Sequence, residues 1–239
     1  MAKLFRYELR RLVFSRFFLG LLTVLLWYGW QLLNTVTILG VAYTAPFSPW
    51  SFGAYLAGLG PFLSAALLFF LWNQRGEKAR GVALLTAATP VEPGRYLLIK
   101  TAAAASAWLL LALSACALGL GFLVSLFGGD PSYAALAAPA AAALLPPLIF
   151  PLGLGLWISR RSPALLLPLM AAVIGLGFIT PPLAADLYGR ALFSQYPLTL
   201  GVLDPAFTMP AAAVWSRLGT LSLGGVLLWM TVRRQSRGQ

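Results

Sequence analysis

The side chains that most often carry catalysis or bind metals are nearly absent from this sequence. Its 239 residues include no histidine and a single cysteine, Cys116, which lies inside an apolar run. Histidine-based zinc and haem sites and the Ser-His and Cys-His dyads of hydrolases need residues that are missing here. A lone cysteine in apolar sequence is typical of a small buried side chain. We therefore expect no catalytic residue, no metal site and no bound cofactor in this chain.

Nucleotide-binding residues are missing as well. The lysines are Lys3, Lys78 and Lys100, and none of them follows a glycine, so the phosphate-binding pattern G-x-x-x-x-G-K-[ST] does not occur. Any dependence on ATP and Mg²⁺ would have to come from a partner subunit that binds both.

The longest polar stretch, residues 73–100, is the best candidate for a binding element. Its charged residues are Arg75, Glu77, Lys78, Arg80, Glu92, Arg95 and Lys100. Residues 78–88 are good helix formers, Pro90 and Pro93 end that helix, and a second helical pattern begins near Gly94. We expect a short helix at the membrane surface that a soluble partner can bind.

The composition indicates what class of protein contains this stretch. Hydrophobic residues make up 60% of the chain, charged residues 10%, and the mean hydropathy is +0.84. So few charges could not keep so much apolar surface in water, and we predict an all-α, polytopic integral membrane protein. The net charge of +11 would suit nucleic acid. We expect no such partner, because the basic residues cluster beside apolar runs, where they orient a membrane protein and meet anionic lipids.

Hydropathy predicts six transmembrane helices in one domain. They cover residues 17–39, 52–72, 101–127, 133–158, 164–180 and 211–232. The domain is divided into an interfacial helix (1–16), spans one and two (17–72), a cytoplasmic coupling segment (73–100), spans three to five (101–182), an external segment (183–210), and the last span with its tail (211–239). The fourth span is interrupted by prolines, and we expect neighbouring helices to bond the carbonyls that they free.

The basic residues orient this topology. All of the 17 except Arg190 and Arg217 fall on one side of the predicted membrane. By the positive-inside rule that side is cytoplasmic, and it holds both termini. The abundance of Ala, Leu, Pro and Arg fits a GC-rich bacterial genome, so we expect the bacterial cytoplasmic (inner) membrane.

The first residues have the pattern of an amphipathic helix. Phe5, Leu9 and Leu12 recur at helical spacing on one face, and the basic residues occupy another: Lys3, Arg6 and Arg10. Such a helix is expected to lie among the lipid head groups. The alternative is an ordinary basic flank that only orients the first span.

The external segment, residues 183–210, carries a second amphipathic pattern. Residues 183–193 read as a short helix in which Asp186 and Arg190 pair at i, i+4, and Pro197 and Pro205 bracket an apolar piece too short to cross a membrane. We expect re-entrant or surface helices, with Asp186 and Arg190 as a candidate external gate. An ordinary surface loop is the alternative.

Polar residues are few inside the predicted spans. Gln31, Asn34 and Thr35 share one face of the first span and are a candidate substrate path, although hydrogen bonds between helices are the commoner use of such residues. No acid lies inside a predicted span, which argues against an ion-coupled carrier. Small residues should allow close helix packing, at Gly153, Gly155, Gly175 and Gly177.

Two segments together resemble a known family. The start KLFRYELRRLVFSR and the later RGEKARGVALLTAATPVEPGRYLLIK are similar to the permease subunits of ABC-2 type exporters. The matching positions are Glu77, Arg80, Gly81, Leu84, Leu85, Pro90, Val91, Arg95, Leu97, Leu98 and Lys100. The sequence departs from the family at Ala83, where many relatives carry a second acid.

The resemblance implies a function and partners. It implies a homodimer or heterodimer of permeases, each bound through residues 73–100 to a separate ATP-binding subunit that holds ATP and Mg²⁺. It also implies export of an amphiphilic or hydrophobic substrate. A non-transporting membrane scaffold or force transducer anchored to an ATPase is the alternative.

Overall fold

The computed structural model describes residues 2–46, 48–74, 93–128, 133–179 and 182–237, and in these ranges the regular structure is entirely helical. Helices suit this sequence because each backbone N–H and C=O in an apolar setting must be bonded within its own segment. The main helices are α1 (Ala2–Val13), α2 (Arg16–Leu32), α3 (Pro49–Asn73), α4 (Pro93–Phe127), α5 (Tyr133–Arg161), α6 (Leu166–Leu176), α7 (Arg190–Ser194) and α8 (Ala211–Arg237). A π-helical turn, Leu33–Thr37, extends α2, and 3₁₀ turns cover Pro163–Leu165, Leu183–Ala185 and Tyr196–Leu200.

Local capping explains where two of these helices begin. Ser15, in extended conformation between α1 and α2, accepts a hydrogen bond from the N–H of Phe18 over 3.1 Å. Ser48 caps α3 in the same way through the N–H of Ser51, and Pro49 occupies the first turn. Both arrangements satisfy N–H groups that a helix start leaves without intrahelical partners.

Five helices are long and apolar enough to cross a membrane, and they indicate a multi-pass membrane protein. They are Arg16–Thr37, Pro49–Asn73, Gly94–Leu126, Tyr133–Arg161 and Ala211–Gln235. Of the six runs predicted to span, the one at 164–180 forms a shorter apolar helix in the described residues, Pro163–Leu176. Its α-helical part has 11 residues, or about 17 Å, against about 30 Å of bilayer hydrocarbon.

Helix α3 lies at the centre of the bundle, with α2 and α4 antiparallel to it. Near its end, Phe70 stacks on Phe18 of α2 with ring centroids 6.2 Å apart. The contacts with α4 run in reverse residue order: Tyr55 donates to the carbonyl of Ala115 over 3.0 Å, and the indole of Trp108 donates to the carbonyl of Leu63 over 3.0 Å. These buried aromatic residues thus bond their polar atoms across the helix interfaces.

Helices α5 and α8 run parallel to α3. Pro151 has no N–H for the carbonyl of Pro147, and the hydroxyl of Ser64 in α3 lies 3.4 Å from that oxygen as a donor. Between α5 and α8, a Cβ on Gly153 would overlap the backbone of Gly224. The bundle is therefore packed backbone to backbone where glycines allow it.

Two ends of the bundle can be distinguished. The basic end holds α1, the junction of Gln74 with Lys100, and Arg160, whose Nη1 donates to the carbonyl of Thr231 over 2.7 Å. The opposite end holds residues 38–46 and 196–210. There the N–H of Ala45 donates to the Asp204 carboxylate over 3.0 Å, and the indole of Trp50 donates to the carbonyl of Pro205 over 2.7 Å.

Candidate functional site

Helix α6 covers only the half of α3 that is nearer the basic end. At its start, Leu166 lies with Leu68 around Gly155, where a Cβ would meet both side chains. At its end, a Cβ on Gly177 would overlap Pro61, which lies near the middle of α3. The helix therefore runs antiparallel to α3 and stops about halfway along it.

Residues 182–196 continue along the other half of α3. Tyr188 packs against Gly60, where a Cβ would lie 2.7 Å from its ring, and Phe193 occupies the space that a Cβ on Gly53 would need. Further on, the ring of Tyr196 lies 6.0 Å from that of Trp50. We call α6 and residues 182–196 together the broken crossing, because they follow α3 from one end to the other without a continuous helix.

The prediction of a single helix over residues 183–193 is wrong. The structure has the 3₁₀ turn Leu183–Ala185 and then α7, which begins at Arg190 after Gly189 adopts a left-handed conformation with φ of 93°. Glycine permits this φ, and a Cβ there would also lie 2.8 Å from Nη2 of Arg217. A continuous helix is therefore interrupted where the chain passes close to α8.

Asp186 is buried in this interruption, with 2% of its surface exposed. One carboxylate oxygen accepts the N–H groups of Gly189 and Arg190, over 2.7 and 3.1 Å, and the other accepts the N–H of Leu192 over 3.2 Å. The predicted i, i+4 ion pair with the Arg190 side chain is not formed, because the carboxylate is bonded to backbone amides instead. Asp186 therefore holds the irregular backbone together.

The cation next to this carboxylate is Arg217 of α8, which the sequence analysis did not assign to a site. Its side chain is buried, Nη1 donates to the carbonyl of Leu187 over 2.7 Å, and Asp186 lies close enough to interact with it electrostatically. In the described part of the chain, Nε of Arg217 has no hydrogen-bond partner. An arginine inside an apolar span was the available signal, since such residues usually face the bundle interior and carry a function.

The Arg190 guanidinium makes no ion pair with Asp186, and Arg190 is one of the residues that line a cavity of about 330 Å³. The structure thus separates the two residues of the predicted external gate: Asp186 bonds the backbone beside α8, and Arg190 lines a cavity. The cavity is lined by Tyr28, Gly58, Pro61, Phe62, Ile174, Gly177, Phe178 and Arg190.

The predicted path residues Gln31, Asn34 and Thr35 lie together on the exposed side of α2 and its π-helical extension. Asn34 donates to the carbonyl of Trp30 over 2.8 Å, and Thr35 donates to that of Gln31 over 2.7 Å. Asn34 and Thr35 thus bond their own helix and leave this face open to a lipid or to another chain.

Helix α1 packs on the start of α4. Leu12 is buried and Phe5 and Leu9 are partly buried, whereas the basic residues are exposed: Lys3, Arg6 and Arg10. Buried Glu8 lies at the contact, where its Oε1 accepts from the hydroxyl of Tyr96 over 3.4 Å and its Oε2 lies 3.6 Å from the Arg11 guanidinium. The position of α1 relative to a bilayer stays a prediction.

Most of the predicted coupling residues lie outside the described ranges: Glu77, Arg80, Gly81, Leu84, Leu85, Pro90 and Val91. Arg95 and Lys100 are described and lie in the first turns of α4. The Lys100 ammonium lies 4.6 Å from the centroid of the Tyr96 ring, and its carbonyl accepts the side-chain amide of Gln74 over 3.1 Å. Gln74, which follows the last residue of α3, is thus bonded to α4.

Comparison with known proteins returns no relative. No family model, no curated protein and no solved structure matches this chain.

Proposed function

We propose that this chain is the membrane-spanning permease subunit of an ABC-2 type exporter, in a bacterial cytoplasmic membrane, driven by a separate ATPase subunit that binds ATP and Mg²⁺. The sequence resemblance in residues 3–16 and 75–100 motivates the proposal. The observation that carries it is the hydrogen bond of Gln74 to the Lys100 carbonyl. It joins the two helices at the point where the coupling stretch leaves and re-enters the bundle.

Force applied to the coupling stretch has a direct route into the bundle. The stretch connects α3, the central helix, with α4, which also carries α1 through the contact of Tyr96 with Glu8. A displacement caused by nucleotide-driven closure of the ATPase would therefore move α3, α4 and α1 together.

The proposed topology has six crossings, with the broken crossing as the fifth. It begins near the basic end and finishes beside Trp50 at the opposite end, so α8 can return in parallel with α3 and α5. Both termini then lie at the basic end, which the positive-inside rule places in the cytoplasm. Residues 183–210 form the external part of the domain. A change in the contacts that Asp186 or Arg190 makes there would open or close the external end of the substrate path.

The lipid bilayer and a second permease copy or paralogue complete the assembly. The exposed basic residues of α1 would face anionic head groups at the cytoplasmic surface. The exposed face with Gln31, Asn34 and Thr35 would line the substrate path between the two permeases.

Purification from native membranes tests the assignment. An affinity-tagged wild-type chain should bring with it a nucleotide-binding subunit and hydrolyse ATP. The double substitution Leu84→Asp and Leu85→Asp should lose both the subunit and the hydrolysis. The control Val202→Asp and Leu203→Asp, which places the same charges on exposed residues of the opposite end, should retain them.

If the Leu84 and Leu85 variant brought down as much of the ATPase subunit as wild type does, the docking assignment would be refuted. Hydrolysis that responds to an amphiphilic substrate favours an exporter. Hydrolysis that no amphiphile changes favours the non-transporting force transducer.

A further inference from the structure

The cavity beside Arg190 has the size and chemistry of a ligand site. Its volume of about 330 Å³ lies within the range of about 300–1,000 Å³ that is usual for small-molecule pockets. Gly58, Pro61 and Phe62 of α3 form one wall, Tyr28 of α2 lies on one side, and Ile174 near the end of α6 lies on the other. Apart from Tyr28 and Arg190, every lining side chain is apolar or absent.

Arg190 has no acceptor for its guanidinium among the residues that the structure describes. Its backbone N–H donates to Asp186 and its carbonyl accepts the hydroxyl of Ser194, but its side chain makes neither a hydrogen bond nor an ion pair there. Asp186 and Asp204 are both bonded to backbone amides, and Glu8 lies at the basic end. No described carboxylate is left for this cation.

The charges around the broken crossing therefore do not balance. One carboxylate, Asp186, interacts with the buried guanidinium of Arg217, and no described carboxylate accompanies the guanidinium of Arg190. A cation at the edge of an apolar cavity is costly unless an anion accompanies it. The cavity is a place where such an anion could bind, since Arg190 is one of its lining residues.

We propose that this cavity binds a long-chain lipid of the bilayer with a single anionic head group. The planar guanidinium of Arg190 would hold the carboxylate or phosphate by paired N–H donors, and the chain would lie along Phe62, Ile174 and Phe178. Binding itself is independent of the proposed function. The role of this lipid as the exported cargo rests on that function.

Equilibrium binding of radiolabelled palmitate to the purified full-length chain in dodecyl maltoside tests the site, with hexadecanol as a neutral ligand of equal chain length. Wild type should bind palmitate at least ten-fold more tightly than hexadecanol. Arg190→Gln should lose that difference, weakening palmitate about ten-fold and leaving hexadecanol unchanged. Arg190→Lys should keep part of it, and Arg234→Gln, an exposed arginine of the basic end, should bind like wild type.

A second pair of variants tests the apolar wall. Ile174→Trp would fill the cavity and should abolish binding of both ligands. Leu167→Trp, two turns earlier on the same face of the helix but not among the lining residues, should leave both unchanged. Equal affinity of wild type for palmitate and hexadecanol, or wild-type palmitate binding by Arg190→Gln or Ile174→Trp, would overturn the proposal. The assay contains no ATPase, so loss of ATPase docking in the earlier experiment would refute the proposed function alone.

Discussion

Arg217 donates from Nη1 to the carbonyl oxygen of Leu187 over 2.7 Å, and this hydrogen bond joins the last helix to the irregular part of the broken crossing. Backbone groups that leave a helix inside an apolar bundle need such partners, because no water is available to bond them. Arg217 bonds the carbonyl of Leu187, and Asp186 bonds the N–H groups of Gly189, Arg190 and Leu192. Two buried charges thus replace part of the hydrogen bonding that a continuous helix would supply.

The first prediction concerns removal of this cation. Arg217→Met leaves the carbonyl of Leu187 without its donor and Asp186 without the cation beside it. We expect a loss of about 3 kcal/mol, which corresponds to a fall of roughly 6–12 °C in the thermal unfolding midpoint in detergent. Arg234→Met, at an exposed arginine of the same helix, should shift the midpoint by no more than 1–2 °C. Equal midpoints for the two variants would show that the Arg217 contacts do not stabilise the crossing.

The second prediction concerns the contact of α5 with α8. Gly153→Ala adds a methyl group where the backbone of Gly224 already lies, so the helices must separate, at a cost of about 1–3 kcal/mol in the free energy of unfolding. Gly175→Ala is the matched control, because a Cβ at Gly175 meets no atom within 4 Å. It should be neutral or slightly stabilising. Thermal unfolding of both variants decides the matter, and a destabilised Gly175→Ala with an unaffected Gly153→Ala would contradict the packing described here.

The third prediction concerns the attachment of α1. Tyr96→Phe removes the hydroxyl that donates to Glu8 and should weaken the docking of α1 on α4 by about 1 kcal/mol. Trypsin cleavage at Arg10 and Arg11 of the folded protein should then become about five-fold faster. Tyr7→Phe, at a side chain that is 63% exposed, should leave the cleavage rate unchanged. A rate for Tyr96→Phe equal to that of wild type would mean that the hydrogen bond does not hold the helix.

The sequence predicts the long helices well because a run of apolar residues can satisfy its backbone in only one way. It also anticipates close packing at Gly153, Gly155 and Gly177, although Gly175 meets no neighbour. The run at 164–180 forms a shorter helix than hydropathy predicts, for a tertiary reason. Hydropathy depends only on the composition of residues 164–180. It carries no information on tertiary contacts further along the chain, where Tyr188 and Phe193 pack against Gly60 and Gly53 on the other half of α3.

The charged residues of the broken crossing were harder to predict for a similar reason. The spacing of Asp186 and Arg190 predicts an ion pair only if the segment is helical, and Gly189 interrupts the helix. The carboxylate then reaches three backbone N–H groups, which local spacing does not reveal. Arg217 is 31 residues beyond Asp186 in the sequence, and only the folded chain brings them together.

We propose that residues 75–92 lie in the cytoplasm, where a separate ATPase can bind them. The most direct test replaces Cys116 with Ala, introduces Thr86→Cys, and labels cells with a membrane-impermeant maleimide. We predict labelling only after the cells are permeabilised, whereas Val202→Cys, at the opposite end, should be labelled in intact cells. Labelling of Thr86→Cys in intact cells, to the extent seen with Val202→Cys, would contradict the claim.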